Sequence, residues 1–581
     1  MSRPAPTSRP WLAAVVLPAA VFLAEPTPAA DTAPAPRPAR VVAVRPVRPM
    51  TAAELDKALM AEAKDHSELL KNLEYLSDVI GPRLTGSKNL KRANDWTAEK
   101  MKEYGLENVR LEPWEIPVGW ERGVANMRLV SPDTGVRMTV AAKGWTPGLK
   151  DGKVTGEVVV LRVRNKDDLA KYKGKLKNAI VMASAPATVA PVTNMNYGPV
   201  GPARKKEEPK KDEKKADECG ADDQPEPKKE QPPKKEDEKK DEPKKKGRPP
   251  FGGFVLGVDL NEFLRSEGVA CTLSDSAKPH GLLVMYGQWR PGDRATPQDV
   301  LPNLLMAHEH YAMLWRLASR TDIPPPKVEV EITNTFVPGP VTVYNTVGEV
   351  RGSEKPDEIV VVGAHLDSWD LGSGTTDNGT GSCVVLETAR VVAKMAKEGH
   401  RPKRTIRFCL FSGEEQGLYG SREYVKRHAD EMAKMSAALV HDTGTGRVIG
   451  FGLHGRKKVQ EVLDPELATL KDVPAWDGTD LGFLFGSDHQ SFDSAGVPGF
   501  ACRQEIDEYR LTHHTQTDTF DHAKGPNLVQ GSQVMAVAAV RIANMPEMLP
   551  RERGARTPPK KEEKKDEKKG EDAKKTEEKK P

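Results

Sequence analysis

The chain has 581 residues and a formal net charge of +4, from 88 Lys+Arg against 84 Asp+Glu. Length alone predicts three or four domains, but two long Lys/Glu/Pro-rich stretches carry too little apolar surface to fold and lower that number. Five cysteines (219, 271, 383, 409 and 502) lie far apart with no CxxC spacing, which excludes a disulfide framework and a zinc ribbon.

Met1 to about Ala30 is predicted to be a signal peptide. Arg3 and Arg9 make a basic start, Trp11–Ala24 an apolar run, and Ala29 and Ala30 a small-residue cleavage site. The run is short for a membrane span and Pro18 interrupts it. Export to a secreted, periplasmic or cell-surface location is expected, with no stable membrane span once the signal is removed. Residues 31–50 read as a flexible leader.

Helical periodicity begins at Thr51, where TAAEL offers a cap followed by Glu, and is expected to run through Ile80. GPRLTGSKN (Gly81–Asn89) is a loop, Leu90–Tyr104 a second helix stopped by Gly105, and Asn108–Pro117 a strand. Residues 51–118 thus open the main domain.

From about Gly119 short alternating runs such as NMRLVS, RMTVAAK and GEVVVLRV predict a separate β-rich module over 119–325. Residues 203–250 interrupt it as a disordered, solvated loop, after which FVLGVDLNEFLRSEGVACTLS and HGLLVMYG are expected to resume the β pattern. His308-Glu309-His310 looks like a zinc motif, but on a helix residues i and i+2 do not face one another, so a structural role is expected. The main α/β pattern is predicted over 326–548, with strands at 328–335, 343–350, 359–364, 404–411, 437–440, 448–453 and 499–502. Helices are expected at 381–397, 421–435, 456–470 and 526–545. A charged tail follows over 549–581. Both charged arms read as spacers first and as tethers to surfaces second.

The chemistry-bearing residues gather at the ends of these strands. VVVGAHLD ends a buried strand at His365, with Asp367 two residues on and Asp377 in the loop TTDNGTG. RTIRFCLFS ends in Gly413-Glu414-Glu415-Gln416-Gly417, and AALV in His441-Asp442. Later come Ser487-Asp488-His489 and His513-His514-Thr515-Gln516-Thr517-Asp518. The carboxyl edge of an open α/β sheet is where such folds build sites. His365, Asp377, Glu415, Asp442 and His514 supply two imidazoles and three carboxylates. That set suits two zinc-like ions bridged by one Asp, with positions open for water and substrate.

In this order, HLDSWD, TDNGTGS, GEEQGLYGS, HDTGT, SDHQSF and HHTQTDT resemble the zinc exopeptidases of metallopeptidase family 28, and GPRLTGS resembles its carboxypeptidase Q-like branch. The resemblance implies a mixed, largely parallel central sheet covered by helices on both faces, with the β-rich insertion as a protease-associated domain. It implies two Zn2+, with Co2+ or Mn2+ as alternatives. Asp377 would bridge the metals, His365 and Asp442 would complete one site, and Glu415 and His514 the other. Glu414 would be the general base and Asp367 the group that orients His365. His513 stands where the family often has Tyr, and with Asp488, His489 and Arg503 it is a candidate for substrate binding. Arg510 is a second candidate clamp for a terminal carboxylate. The implied reaction is hydrolysis of a terminal peptide bond, by an aminopeptidase or dipeptidase first. The alternatives are a carboxypeptidase, a glutaminyl cyclase-like enzyme, or a binding protein on the same fold. Peptides are the expected partners. No nucleic acid is expected, and dimerisation is left open.

Overall fold

The computed structural model of the protein describes residues 50–189, 257–289 and 300–553. The expected signal and leader, the interruption at 203–250 and most of the tail lie outside these residues. Helix α1 (Ala52–Asp65) starts as TAAEL predicts: Thr51 Oγ1 accepts from the Glu54 N–H, and the Glu54 carboxylate accepts from the Thr51 N–H at 2.8 Å. The helix expected to continue to Ile80 breaks at His66–Ser67. A shorter α2 (Leu69–Glu74) then widens into a π-type turn over Tyr75–Ile80. After the GPRLTGS loop, α3 (Lys88–Tyr104) is capped by Ser87 and ends at Gly105.

Strand β1 (Glu107–Glu121) leads into a second sheet. It is built from β2 (Ala125–Ser131), β3 (Val140–Ala142), β4 (Lys153–Val160), β5 (Ile180–Met182), then, after helix α4 (Gly257–Ser266), β6 (Cys271–Asp275) and β7 (Asn303–Met306), and, after helix α5 (His308–Ala318), β8 (Lys327–Ile332). Its strand order is β2-β8-β4-β5-β6-β7-β3. Strand β9 (Thr335–Val350) then pairs antiparallel with β1, so the second sheet is an insertion between two neighbouring strands of the main one.

Three expectations for this stretch need correction. Gly257–Ser266 is helical, because Leu260, Phe263 and Leu264 recur at helical spacing and pack on Leu161 and Leu176. Val328–Ile332, expected in the main sheet, pairs with β2 and β4 instead, and its inward Val328, Val330 and Ile332 fill the smaller core. HGLLVMYG forms no strand of its own; its backbone docks on the loop at His514. The His308-Glu309-His310 side chains go three ways, as their spacing demands. His308 meets Asp275, Glu309 accepts from the backbone of His280 and Gly281, and His310 Nδ1 accepts from the Thr139 N–H.

The main sheet continues with β10 (Lys355–His365), helix α6 (Thr380–Lys397), β11 (Arg404–Phe411), α7 (Tyr419–Arg427), β12 (Met435–Val440), β13 (Val448–Gly452), α8 (Lys457–Glu466), β14 (Thr479–Asp480), α9 (His489–Ser494), β15 (Gly499–Gln504), α10 (Tyr509–Thr512) and α11 (Gly525–Asn544). Its order is β1-β9-β11-β10-β12-β15-β13-β14, and the inner strands β11, β10, β12 and β15 are all parallel. Parallel strands buried on both faces read as unbroken apolar runs, and all eight residues of β11 are buried. One face (Val360, Val362, Phe408, Leu410, Leu439) packs under α6 and α11, and the other (Val361, Cys409, Phe411) meets Tyr424 and Phe492. The mixed α/β class expected from the sequence is therefore the fold observed. The helix expected over 421–435 stops at Arg427. The expected tail starts later than 549, since Leu549 is buried and Arg551 donates to the carbonyls of Met432, Ala433 and Met435. Cys271, Cys383, Cys409 and Cys502 are buried and free. No helix among the described residues is long and apolar enough to cross a membrane.

Arg404 locks the start of β11 to the end of α11. It is fully buried, its Nε donates to Glu358 Oε2 at 2.6 Å, and its guanidinium reaches the carbonyls of Ala543 and Met545. Arg404→Met strands those acceptors, so thermal or urea unfolding should show a loss of about 2–4 kcal/mol while bound metal per folded molecule is unchanged.

Candidate metal centre

Three of the candidate donors, and Glu414 with them, stand where a central strand ends. His365 is the last residue of β10, Glu414 and Glu415 follow β11, and Asp442 follows β12; these three strands are adjacent. Asp377 lies in the tight turn that opens α6, and the bond from Asp377 to Asn378 is cis. His513 and His514 follow α10, beyond β15. Gly413 sets the turn after β11: its φ is +76°, and a Cβ there would lie 2.7 Å from the Trp114 ring.

The structure brings the five expected ligands together. His365 Nε2 is 3.0 Å from Asp442 Oδ1 and 3.4 Å from Asp377 Oδ1. His514 Nε2 is 3.4 Å from Asp377 Oδ2 and 2.9 Å from Glu415 Oε2. Asp377 thus turns one oxygen to each histidine. His513, stacked on His514 at 3.8 Å between ring centroids, also faces Asp377 Oδ2, at 3.9 Å. These side chains and Glu414 line a cleft of about 430 Å3, with Tyr509 and Phe485 at its walls.

The donor set fits divalent cations. His365 Nδ1 donates to the backbone carbonyl of Asp367 at 2.9 Å, which leaves Nε2 as the nitrogen turned to the carboxylates and the one that would meet a cation. Asp377 Oδ2 and Glu415 Oε1 are buried with no hydrogen-bond donor. Burial disfavours charge on Asp377, yet His365, His514 and His513 outweigh it and hold the carboxyl below its ordinary range. Burial, then Asp377, pushes Glu415 well above its range. Burial works against a charged His365, but Asp442 and Glu414 outweigh it and raise the ring well above an ordinary imidazole. Carboxylates and imidazoles buried this close together favour a further counter-charge, which a cation would supply with their lone pairs as ligands.

Residues that the sequence left without a role hold this geometry. Arg83 of GPRLTGS is wholly buried and spans the loop between His365 and Asp377. Its Nε donates to Leu366 O at 2.7 Å, Nη1 to Ser373 O at 2.9 Å and Nη2 to Gly374 O at 2.6 Å. Asp518 takes the backbone N–H of both Thr376 (2.6 Å) and Asp377 (3.1 Å). Asp367 meets His365 as expected: its carbonyl accepts from Nδ1 at 2.9 Å and its Oδ1 lies 3.7 Å from the same nitrogen, while its carboxylate also accepts from Thr85 Oγ1 and from the N–H groups of Glu414 and Glu415, fixing the two-glutamate turn. The inserted sheet contributes too. The Met285 N–H donates to the His514 carbonyl at 2.7 Å, and Gln516 bonds Leu283 and Gly281.

Three of the tentative binding residues stand outside the cleft wall. Asp488 is fully buried at the start of α9, where burial pushes its carboxyl up to about 7. His489 donates to Leu484 O at 3.1 Å and so holds the loop carrying Phe485. Arg503 is engaged by Asp477 and Asp480 at the β13–β14 edge, where β15 pairs with β13 and turns the side chain from the donors.

Arg83→Met removes the fork that fixes this loop, and Arg83→Lys cannot reproduce it. Both variants are expected to bind zinc roughly 10–100-fold more weakly than the parent, read by competition with a chromogenic chelator, with the donors themselves intact.

Peptidase family M28 matches residues 345–539, the span that holds all of these donors. Carboxypeptidase Q from Rattus norvegicus is 27% identical over 500 residues, covering 85% of this chain and 89% of that protein. Its Homo sapiens counterpart is 26% identical over 504 residues, covering 86% and 89%. Among solved structures, a peptidase M28 precursor from Shewanella amazonensis superposes with a TM-score of 0.63 at 23% identity, over 86% of this chain and 98% of that one. BSAP, a zinc aminopeptidase from Bacillus subtilis, gives 0.52 at 17% identity, over 81% and 93%. These two share the fold. Residues 345–539 match a peptidase family M28 domain, and that domain together with the long carboxypeptidase Q relatives supports a hydrolase of the peptidase class.

Proposed function

We propose that this peptidase is a zinc-dependent exopeptidase that works with two zinc ions on the ends of peptides or on dipeptides. The observation that carries the reading is Asp377, whose two oxygens face separate donor groups and so suit a bridging ligand. His365 and Asp442 would hold one zinc, and Glu415 and His514 the other, with cobalt or manganese as substitutes for the same donors. Zinc bound there supplies Lewis acidity, which makes water a nucleophile near neutral pH and polarises the scissile carbonyl.

Glu414 does the proton work. Burial and the carboxylates of Asp442, Asp488 and Glu415 push it well above its ordinary range, and it lines the same cleft as the donors. In this reading it takes a proton from the attacking water and delivers it to the departing amine nitrogen. The Asp367 carboxylate holds the Glu414 N–H and keeps that side chain aimed. The engagement of Arg503 by Asp477 and Asp480 removes one clamp for a free carboxyl terminus and favours an aminopeptidase or dipeptidase. The carboxypeptidase reading rests on the name of the relatives that cover 85% of the chain. The apolar run near the amino terminus supports export.

Glu414→Gln and Glu415→Gln separate the roles. Glu414→Gln should bind zinc like the parent while turnover of dipeptides falls on the order of 10²–10⁴-fold. Glu415→Gln should lose zinc from one site and recover part of its activity at high zinc. Metal content and turnover measured on both purified variants decide the matter; near-normal turnover by Glu414→Gln would defeat the assignment. Protons compete for the same lone pairs, so bound zinc and activity should fall together as pH drops below roughly 6.5. Both should return on neutralisation with zinc. Full zinc retention at pH 4 would count against these ligands.

A further inference from the structure

A second cavity, of about 550 Å3, opens beside the metal cleft and shares Glu415 and His514 with it. The inserted sheet forms one wall and the main sheet the other. Three indoles, those of Trp145, Trp289 and Trp369, cluster on one side of the cavity, and polar residues such as Asn261, Thr272 and Asn303 line another part of it. Trp145 and Trp289 meet edge to face with centroids 5.1 Å apart, and Trp145 and Trp369 cross at 81° and 6.4 Å. Trp369 lies 6.0 Å from the His514 ring, so the aromatic surface runs up to the donors. Phe336 and Val118 back it on the main-sheet side.

The wall is built rather than collapsed. Trp145 Nε1 donates to Val118 O at 3.2 Å. The loops carrying Trp145 and Trp289 touch through their glycines: a Cβ on Gly287 would fall 2.4 Å from the Gly144 carbonyl oxygen. Two buried polar groups facing this space have no partner. They are the Gln416 amide, unmatched at both its oxygen and its nitrogen with the residue 3% exposed, and the Trp369 N–H. Buried amides are nearly always paired, so an unmatched one at a cavity wall points to a ligand that completes it.

We propose that this cavity is the specificity pocket for the substrate residue flanking the scissile bond on the Glu415–His514 side, and that it selects a bulky apolar side chain, aromatic above all. Gln416 pairs with the main-chain amide of that residue. The proposal rests on the exopeptidase reading above. Its volume is in the range of small-ligand sites, roughly 300–1,000 Å3. Indole edges and faces favour another ring. Lys143, its Nζ 4.4 Å from the Tyr286 ring centroid at the rim, sets a positive charge against a basic side chain.

The test uses the zinc-loaded full chain and two dipeptide series, Ala-X and X-Ala, with X as Gly, Leu, Phe, Trp, Glu or Lys. In one series, kcat/KM should rise roughly 10–100-fold from Gly to Phe or Trp, and in the other it should not. Trp289→Leu should cost the Phe peptide at least ten times more than the Gly peptide. Phe336→Ala, at a half-buried position on the same wall, provides the same comparison if Trp289→Leu does not fold. Gln416→Leu should raise KM across the favoured series. Binding of the favoured dipeptide to Glu414→Gln should change tryptophan fluorescence, with no such change for Ala-Gly at the same concentration. Equal rates in both series, a preference for Glu or Lys, or equal losses for Phe and Gly peptides in Trp289→Leu would overturn the proposal. Failure to cleave any dipeptide at full zinc occupancy would instead overturn the exopeptidase reading, and this proposal with it.

Discussion

The structure depends on how a single carboxylate, Asp377, is held. Its backbone N–H is fixed by Asp518, its two side-chain oxygens face His365 and His514, and one of those oxygens has no hydrogen-bond donor. Like charges buried at this distance repel unless something positive lies between them. Most of the surrounding architecture can be read as resisting that repulsion. Three adjacent parallel strands aim their ends at one point, and Asn378 donates to the His441 carbonyl while Ser382 donates to that of His365, tying the strand ends to the start of α6.

The support comes from distant parts of the chain. Arg83 lies 283 residues before the carbonyl of Leu366 that it bonds. Thr85 reaches Asp367 from the same loop. The amino-terminal helices are therefore part of the site's scaffold as well as its cover. An arginine is suited to this task because its planar fork satisfies several carbonyls at once and it stays charged when buried.

The inserted sheet leaves the main sheet after β1 and returns at β9, two strands that pair along most of their length. That anchoring brings the loops of the insertion back over the strand ends. One of them donates to the His514 carbonyl, and the loops bearing Trp145 and Trp289 complete a cavity against Trp369. The insertion thus touches the loop that carries the candidate donor His514 and shapes the space beside it.

Much of this was legible in the residues alone. Apolar runs at Val360–Ala364 and Phe408–Phe411 specify buried parallel strands, and polar residues directly after them mark the functional edge, because period and burial are local properties of a sequence. The ordered motifs singled out five candidate donors and Glu414, and the fold brings these six residues to one cleft. What the sequence could not determine was the outcome of contacts between segments far apart in the chain. Val328–Ile332 alternates as a strand of either sheet would, and only pairing with β2 and β4 decides between them. Leu260, Phe263 and Leu264 recur at helical spacing, but the surface at Leu161 and Leu176 on which that face packs comes from a distant segment. Arg503 sits close to the ligands in sequence, but the pairing of β15 with β13 carries its side chain to Asp477 and Asp480. Sequence determined the elements and the donors, because those depend on neighbours along the chain; tertiary structure decided which carbonyls Arg83 binds and which rings line the cavity, because those depend on segments that meet only when the chain folds.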